Sequence, residues 1–363
     1  MESMELTQLF GHIYKNKNVL VTGHTGFKGS WLVLWLQKMG ANVTAFAQKS
    51  PYSPCHFDLL KNNQIKSVIG NITEYDALEK TFSEAKPEIV FHLAAQALVR
   101  ESYKNPIETY QTNVLGTLNV YEVARNCESV KAILSITTDK VYQNNEWVWA
   151  YRENDVLGGY DPYSASKACV EIMTNSYKKS FLNKNLLIAT ARAGNVVGGG
   201  DWAKDRLFPD MMKAVEKSEK VRIRNPNAIR PWQHVLEPIA GYLQLGKKML
   251  EGKDAFAEAW NFAPDTQQCL SVEKILEISK KSWDKIDFEI EKLANQPHEA
   301  MSLKLDSSKA NTLLNWKPIW DISQTIEKTI DWYKNWIEAK QVITESQLIQ
   351  YVKDAKEKKV EWV

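Results

Sequence analysis

Residues 18–36 read NVLVTGHTGFKGSWLVLWL, a β-branched apolar run, a loop with glycines at 23, 26 and 29, and a second, longer apolar stretch. A short apolar run bounded by glycine is the pattern of a buried strand, and the stretch after Gly29 has the length of a buried helix. Glycine allows the tight turn between the two and lets backbone approach whatever lies above it. GxxGxxG spacing at a helix start leaves unpaired amides facing outward, an arrangement that receives a pyrophosphate. Gly23, Gly26 and Gly29 are therefore candidate dinucleotide-binding positions. A plain structural turn competes with that reading for the glycines alone, and the flanking strand and helix favour the dinucleotide.

Similar apolar runs recur at 42–47, 67–70, 88–95, 131–137 and 186–191. Helical patterns lie between them at 29–39, 74–85, 107–126 and 163–182, while 51–64 stays open between helix and loop. Strands alternating with helices pair in parallel through right-handed crossovers, so the fold class is α/β, a Rossmann-type doubly wound sheet. After residue 192 the texture changes to a Gly198–Gly200 turn, scattered helices and a Trp-rich tail containing LLNWKPIWD. With 363 residues the chain exceeds what one core usually organises. We expect 1–192 to form the dinucleotide-binding domain, with a contribution from 233–263. The remainder, 193–363, is expected to form mainly a smaller C-terminal substrate-binding domain closing over the strand ends. The charged stretch 341–363 is expected as a surface helix.

Charge narrows the partners. The formal charge of +2, from 46 basic and 44 acidic residues, gives no reason to expect nucleic acid. The N-terminus lacks a basic start and a clean apolar stretch, and no run approaches the roughly 18 apolar residues of a membrane span. A cytoplasmic location away from any membrane is expected. Cys55, Cys127, Cys169 and Cys269 are far apart and form no CxxC pair, which suits reduced packing residues and argues against a metal site.

The chemistry centres on YSASK, which puts Tyr163 and Lys167 four apart on one helix face, just past the fifth strand. A lysine cation about 4 Å from a phenol contributes up to about 4 kcal/mol at a dielectric near 20, enough to bring the tyrosine toward neutrality as a base. Thr138, Asp139 and Lys140 stand at the end of that fifth strand, at the sheet edge where ligands of open α/β folds bind. A polar strand-to-loop turn is the competing reading. Two further titratable groups beside a redox pair point to a proton-transfer task beyond oxidation, namely elimination. The second strand ends in Ala47, Gln48, Lys49 and Ser50, with no acidic residue for a ribose, so this position leaves NAD and NADP both open.

Longer segments carry a resemblance. TGHTGFKGSW, FHLAAQALVRESY, NVLGTLNV, the TTDKVY to YSASK block, ARAGNVVGGGDWAKDRLFPD, IRPWQHVLEP and LDSSKA together span nearly the whole chain. In these the sequence resembles the extended short-chain dehydrogenase/reductases and, within them, the sugar-nucleotide 4,6-dehydratases that act on CDP-glucose. The resemblance implies tightly held NAD, bound by Gly23, Gly26, Phe27, Gly29, Asn71, Ile72, Leu93, Ala94, Ala95, Asn113, Tyr163 and Lys167. It implies that Tyr163, assisted by Thr138 and Lys167, deprotonates the glucose 4-hydroxyl as hydride leaves C4. Asp139 would then protonate the departing 6-hydroxyl, and hydride would return to C6. Lys140 stands where dTDP-glucose 4,6-dehydratases carry a glutamate base, and a lysine must be neutral to take a proton. Asn195, Arg230 and His298 match substrate-binding positions. Arg222 and Arg224 read as solvated surface, and Trp202 and Trp232 as core residues more than base-stacking ones. The family also implies a homodimer or homotetramer through helices 107–126 and 163–182. A UDP-N-acetylglucosamine 4,6-dehydratase and a nonenzymatic dinucleotide sensor remain alternatives.

Overall fold

A computed structural model of the protein describes residues 6–61, 64–181, 186–291 and 301–363. Seven strands build the central sheet: β1 (Asn18–Thr22), β2 (Asn42–Ala47), β3 (Lys66–Ile69), β4 (Ile89–His92), β5 (Ala132–Ile136), β6 (Leu187–Ala193) and β7 (Ala259–Phe262). Their order across the sheet is β7-β6-β5-β4-β1-β2-β3, and every neighbouring pair is parallel. The order reverses between β1 and β4, which opens a crevice at their carboxyl ends. The doubly wound α/β sheet expected from the sequence is therefore present. The seventh strand, AWNF, lies in the segment expected to return to the dinucleotide-binding part, although its sequence has no β-branched residue to mark it as a strand.

Period-two alternation distributes each strand between two cores. Leu20, Val90, Ile133 and Ile188 face one side, where they meet Leu78 and Phe82 of α2 (Tyr75–Ala85), Val120 and Tyr121 of α3 (Gly116–Arg125), and Tyr177 of α4 (Pro162–Ser180). Val19, Val21, Ile89, Phe91, Leu134 and Ala189 face the other side. There they pack with the apolar α1 (Phe27–Lys38), with α5 (Leu236–Leu250) and with the C-terminal helices α6 (Ile322–Ala339) and α7 (Thr344–Glu357). Because both faces are covered, the strands are apolar on both sides, as parallel sheets require.

The ends of the elements follow local chemistry. Asp161 caps α4 by accepting the Ser164 amide at 3.0 Å, and Pro162 occupies the first turn, where a missing N–H costs nothing. The pattern at 107–126 resolves into a helix Pro106–Tyr110, a π turn Gln111–Leu115 and α3. The open stretch 51–64 contains a short helix, His56–Leu59. The tail departs from expectation: α7 buries Leu348, Tyr351, Val352 and Ala355, an i, i+3, i+4, i+7 stripe, against α1. Its charges lie outward except Asp354, whose Oδ2 accepts the buried Trp320 Nε1 at 2.6 Å. Cys169 also departs from the packing role expected of it, since it is exposed, and none of the four cysteines is joined to another.

Candidate active site

The crevice between β1 and β4 collects the glycine loop and the segment after β4. Gly23 has φ of +82°, and a Cβ there would lie 2.6 Å from the Ala94 nitrogen. At Gly29 a Cβ would lie 2.2 Å from the Gly23 carbonyl oxygen, so the start of α1 packs directly on the turn. The Thr22 hydroxyl holds the two strand ends together, sharing a hydrogen bond with His92 Nδ1 at 2.7 Å and accepting the Ala94 amide at 3.2 Å. Gly26 caps α1 without a side chain, and the first turn of the helix carries no acidic residue. Its amides are thus available to an anion, and the geometry suits a pyrophosphate.

The remaining cofactor candidates divide by what their side chains already do. Leu93 and Ala95 are half-buried in the loop beside Ala94. Ile72 is buried against Gly116, where a Cβ would come within 2.6 Å of it. Asn71 Oδ1 accepts the Thr73 amide at 3.1 Å and so shapes the turn after β3. Asn113 is fully buried; it accepts from the Gln96 amide and donates to Gln96 O and Ser166 Oγ. Its side chain therefore ties the β4 loop to α4. Lys49 is exposed in the loop after β2.

Tyr163 and Lys167 lie at the start of α4, and both are buried. Thr138 and Asp139 follow β5 and are buried too, whereas Lys140 is half-buried and its amide caps on Thr138 Oγ1 at 3.4 Å. Thr138 stands between the two groups: its hydroxyl lies close enough to the Tyr163 phenol to act on its ionisation and donates to Asp139 Oδ1 at 3.0 Å. Asp139 Oδ2 is buried with no partner among the described residues, next to Gly194, where a Cβ would lie 3.3 Å from it.

One electrostatic expectation is corrected. Burial pushes the phenol up to about 12, with the Thr138 hydrogen bond and the Arg206 charge pulling the other way, so Tyr163 is not held near neutrality here. Lys167 does not hold the phenol down, because at about 8 it loses its charge well before a phenol at about 12 ionises; its Nζ donates to the Ile136 carbonyl at 3.0 Å. Burial and then Lys28 lower Lys167 to about 8, with Glu171 acting in the opposite sense. Helical spacing fixes the shared face of Tyr163 and Lys167, but not where a flexible lysine ends.

Three charged groups near this centre had no place in the sequence reading. Arg206 donates to Asp201 Oδ2 at 2.8 Å, and Lys28, from the glycine loop, is lowered to about 8 by burial and then by Arg206. They come from separate stretches that only the fold brings together. Glu171, in contrast, was accessible as the carboxylate one turn beyond Lys167 on the same helix face.

The candidate substrate residues are more dispersed. Arg230 is buried on the short strand Ile229–Arg230 and donates to Ile229 O at 2.9 Å and Met301 O at 3.4 Å. Asn195 is half-buried beyond β6, its carbonyl accepting the Gln233 amide at 3.1 Å. His298 lies outside the described residues. Arg222 pairs with Glu289 and Glu291, and Arg224 with Asp205, as surface ion pairs. Trp232 is buried with its Nε1 on Leu270 O, and Trp202 packs edge-on to Trp332 and Trp336. Both tryptophans serve the core.

Comparison with known proteins agrees with this arrangement. The family model for GDP-mannose 4,6 dehydratase matches residues 20–329. A Salmonella typhimurium protein described as CDP-glucose 4,6-dehydratase is 46% identical over 339 residues, covering 92% of this chain and 94% of its own length. Among solved structures, an epimerase from Methanothermobacter thermautotrophicus aligns with a TM-score of 0.80 at 24% identity, covering 96% of this chain and 97% of that one. A dTDP-glucose 4,6-dehydratase from Bacillus anthracis, solved with NAD, aligns with a TM-score of 0.75 at 21% identity, covering 88% and 97%. A family match across most of its length places this chain in the GDP-mannose 4,6 dehydratase family, as a relative of the Salmonella CDP-glucose 4,6-dehydratase.

Proposed function

We propose that this protein removes water from CDP-glucose to give CDP-4-keto-6-deoxyglucose, with NAD as cofactor. The observation that carries this reading is the near end-to-end likeness to the Salmonella enzyme, and the buried centre supplies the chemistry it needs. The glycine turn suits a dinucleotide, since Gly23 at φ +82° and Gly29 let backbone pack tightly there and the first turn of α1 carries neither a capping side chain nor an acidic residue. Gly23, Gly26, Phe27 and Gly29 would hold the pyrophosphate against the α1 amides. When bound, NAD serves as an acceptor that returns the hydride it takes.

The chain's own residues move the protons. Tyr163 takes the 4-hydroxyl proton in its phenolate form, the minor form of a phenol raised to about 12, with the Thr138 hydroxyl beside it. The 4-ketone formed when C4 is oxidised makes the C5 proton acidic. Asp139, whose Oδ2 has no partner among the described residues, gives a proton to the 6-hydroxyl so that it departs as water. Lys140 stands nearest in sequence to receive the C5 proton and must be neutral to do so. Hydride return to C6 and protonation at C5 complete the balance: one nucleotide sugar in, one ketosugar and one water out. Asn195 and Arg230 are assigned to the diphosphate, and His298 to the nucleotide side. We assign 1–192 with the β7 region to the cofactor and most of 193–363 to the substrate.

A homodimer is part of the same reading. Ile107, Tyr110 and Leu115 on the 106–115 segment and Ile172 on α4 are all exposed, and the two elements pack side by side, forming an apolar face. A second copy offering the same helices would cover it. Among the described residues no helix is long and apolar enough to cross a membrane. A cytoplasmic location suits the four unjoined cysteines.

The test is direct. With NAD and CDP-glucose the protein should form a product with the alkali-induced absorbance of a 4-keto sugar. Product from UDP-N-acetylglucosamine but not from CDP-glucose would reassign the substrate, and no product from either would leave a dinucleotide-sensing protein.

A further inference from the structure

Beneath the Tyr163–Lys167 face, α4 buries a third functional group. Glu171 lies one turn beyond Lys167, and its carboxylate accepts four hydrogen bonds. Thr137 Oγ1 at 2.5 Å and Arg192 Nε at 2.9 Å meet Oε1; Thr190 Oγ1 at 2.6 Å and Arg192 Nη2 at 2.9 Å meet Oε2. The side chains of Glu171 and Arg192 are each only 3% exposed. Arg192 is itself fixed, since Nη1 donates to Tyr142 Oη at 2.7 Å and to Glu153 O at 3.1 Å.

A buried ion pair is a weak device for stability, because desolvation offsets most of its attraction and apolar residues often serve as well. What it offers is a fixed direction, and here the connections matter. Thr137 immediately precedes Thr138 and Asp139, and Lys167 makes its own bond to Ile136 O one residue earlier. The strand end bearing the acid and the helix bearing the phenol therefore meet at one carboxylate. Thr190 bonds the same carboxylate from β6, a strand that carries neither group.

We propose that Glu171, clamped by Arg192, is a positioning residue that sets Asp139 against Tyr163 through Thr137, so that elimination keeps pace with oxidation. The proposal rests on the dehydratase reading above. If the Thr137 tie is lost, C4 oxidation still proceeds, because Tyr163 and Lys167 stay on their helix. Departure of the 6-hydroxyl slows, because Asp139 drifts from it, and reduced nicotinamide builds up.

Replacing Glu171 itself would strand a buried guanidinium and risk the fold, so the test uses the two threonines. Thr137→Val and Thr190→Val each remove one hydroxyl from the same carboxylate. Turnover of CDP-glucose by the wild-type protein decides the parent reading, independently of either variant. For Thr137→Val, kcat should fall about tenfold or more with KM little changed, as expected for misplaced reacting groups, and the reduced-nicotinamide absorbance should rise during turnover. Thr190→Val, melting at a similar temperature, should stay within about threefold of wild-type kcat and show no such rise. Equal behaviour of the two variants, or a slowed Thr137→Val without reduced nicotinamide, would overturn the proposal.

Discussion

The Thr138 hydroxyl donates to Asp139 Oδ1 at 3.0 Å, and this bond leaves Oδ2 as the one oxygen of the carboxyl group free to serve a substrate. Asp139→Asn keeps the shape and removes the transferable proton. We expect kcat to fall by about 100-fold or more, the usual contribution of a positioned acid, while oxidation at C4 continues. Single-turnover absorbance of the reduced cofactor is the readout. Undiminished steady-state turnover would remove Asp139 from the reaction.

Lys167 predicts the alkaline limb of the rate profile. Its value is lowered from 10.5 to about 8, first by burial and then by Lys28. The charged form therefore dominates below pH about 8 and is lost above it, and kcat/KM should decline as pH rises through that value. A rate that keeps climbing beyond this point would show that the lysine charge does not limit the reaction. Lys167→Arg should displace the decline to higher pH even where its absolute rate is poor.

Glu237 predicts a pH dependence of stability instead. Burial raises it from 4.5 to about 7, against the donors Trp320 N, Ile319 N and Tyr351 Oη. A raised carboxyl favours the neutral folded form, so its stabilisation is present below pH about 4.5 and is lost on the way up through about 7, on the order of 3 kcal/mol in all. Urea denaturation across this range should show a steeper decline for the wild type than for Glu237→Gln. Parallel slopes would mean that the carboxylate is ionised throughout, held so by its three donors.

The exposed apolar face makes an assembly prediction. Ile172→Glu places a charge within the helical face that also presents Ile107 and Leu115, and burying an unpaired charge is strongly unfavourable. Sedimentation should find a dimer for the wild type and a monomer for the variant, with the variant's melting temperature lowered only modestly. A variant sedimenting as the wild type does would move the interface elsewhere.

Much of the fold could be read from local pattern. The runs at 18–22 and 42–47 are β1 and β2 to the residue, because β-branched and apolar side chains buried on both faces leave little choice of structure. β7 escaped as a strand because Ala259, Trp260, Asn261 and Phe262 have no such signature; pairing with β6 makes them one. The α7 helix was legible, its buried stripe less so, because charges outnumber the four apolar positions that decide where it packs. At the site, YSASK gave the shared face of Tyr163 and Lys167, yet not the lysine's bond to Ile136 O, which depends on a long side chain choosing among carbonyls. Arg206 and Lys28 could not be placed at all, since their meeting depends on the approach of separate chain segments. Glu171 was within reach, and its spacing from Lys167 was the signal.

His56 binds Ser30 Oγ at 2.7 Å through one ring nitrogen and Thr344 Oγ1 at 2.8 Å through the other. Ser30 follows Gly29, while Thr344 opens α7, so a single imidazole separates the glycine turn from a helix more than three hundred positions downstream. The Trp35 ring on α1 rests against Tyr351 and Trp362 of the same distal region. Trimming that region as if it were dispensable would unsettle the nucleotide cradle from behind, and loss of cofactor would be its first symptom, well before the sheet itself gave way.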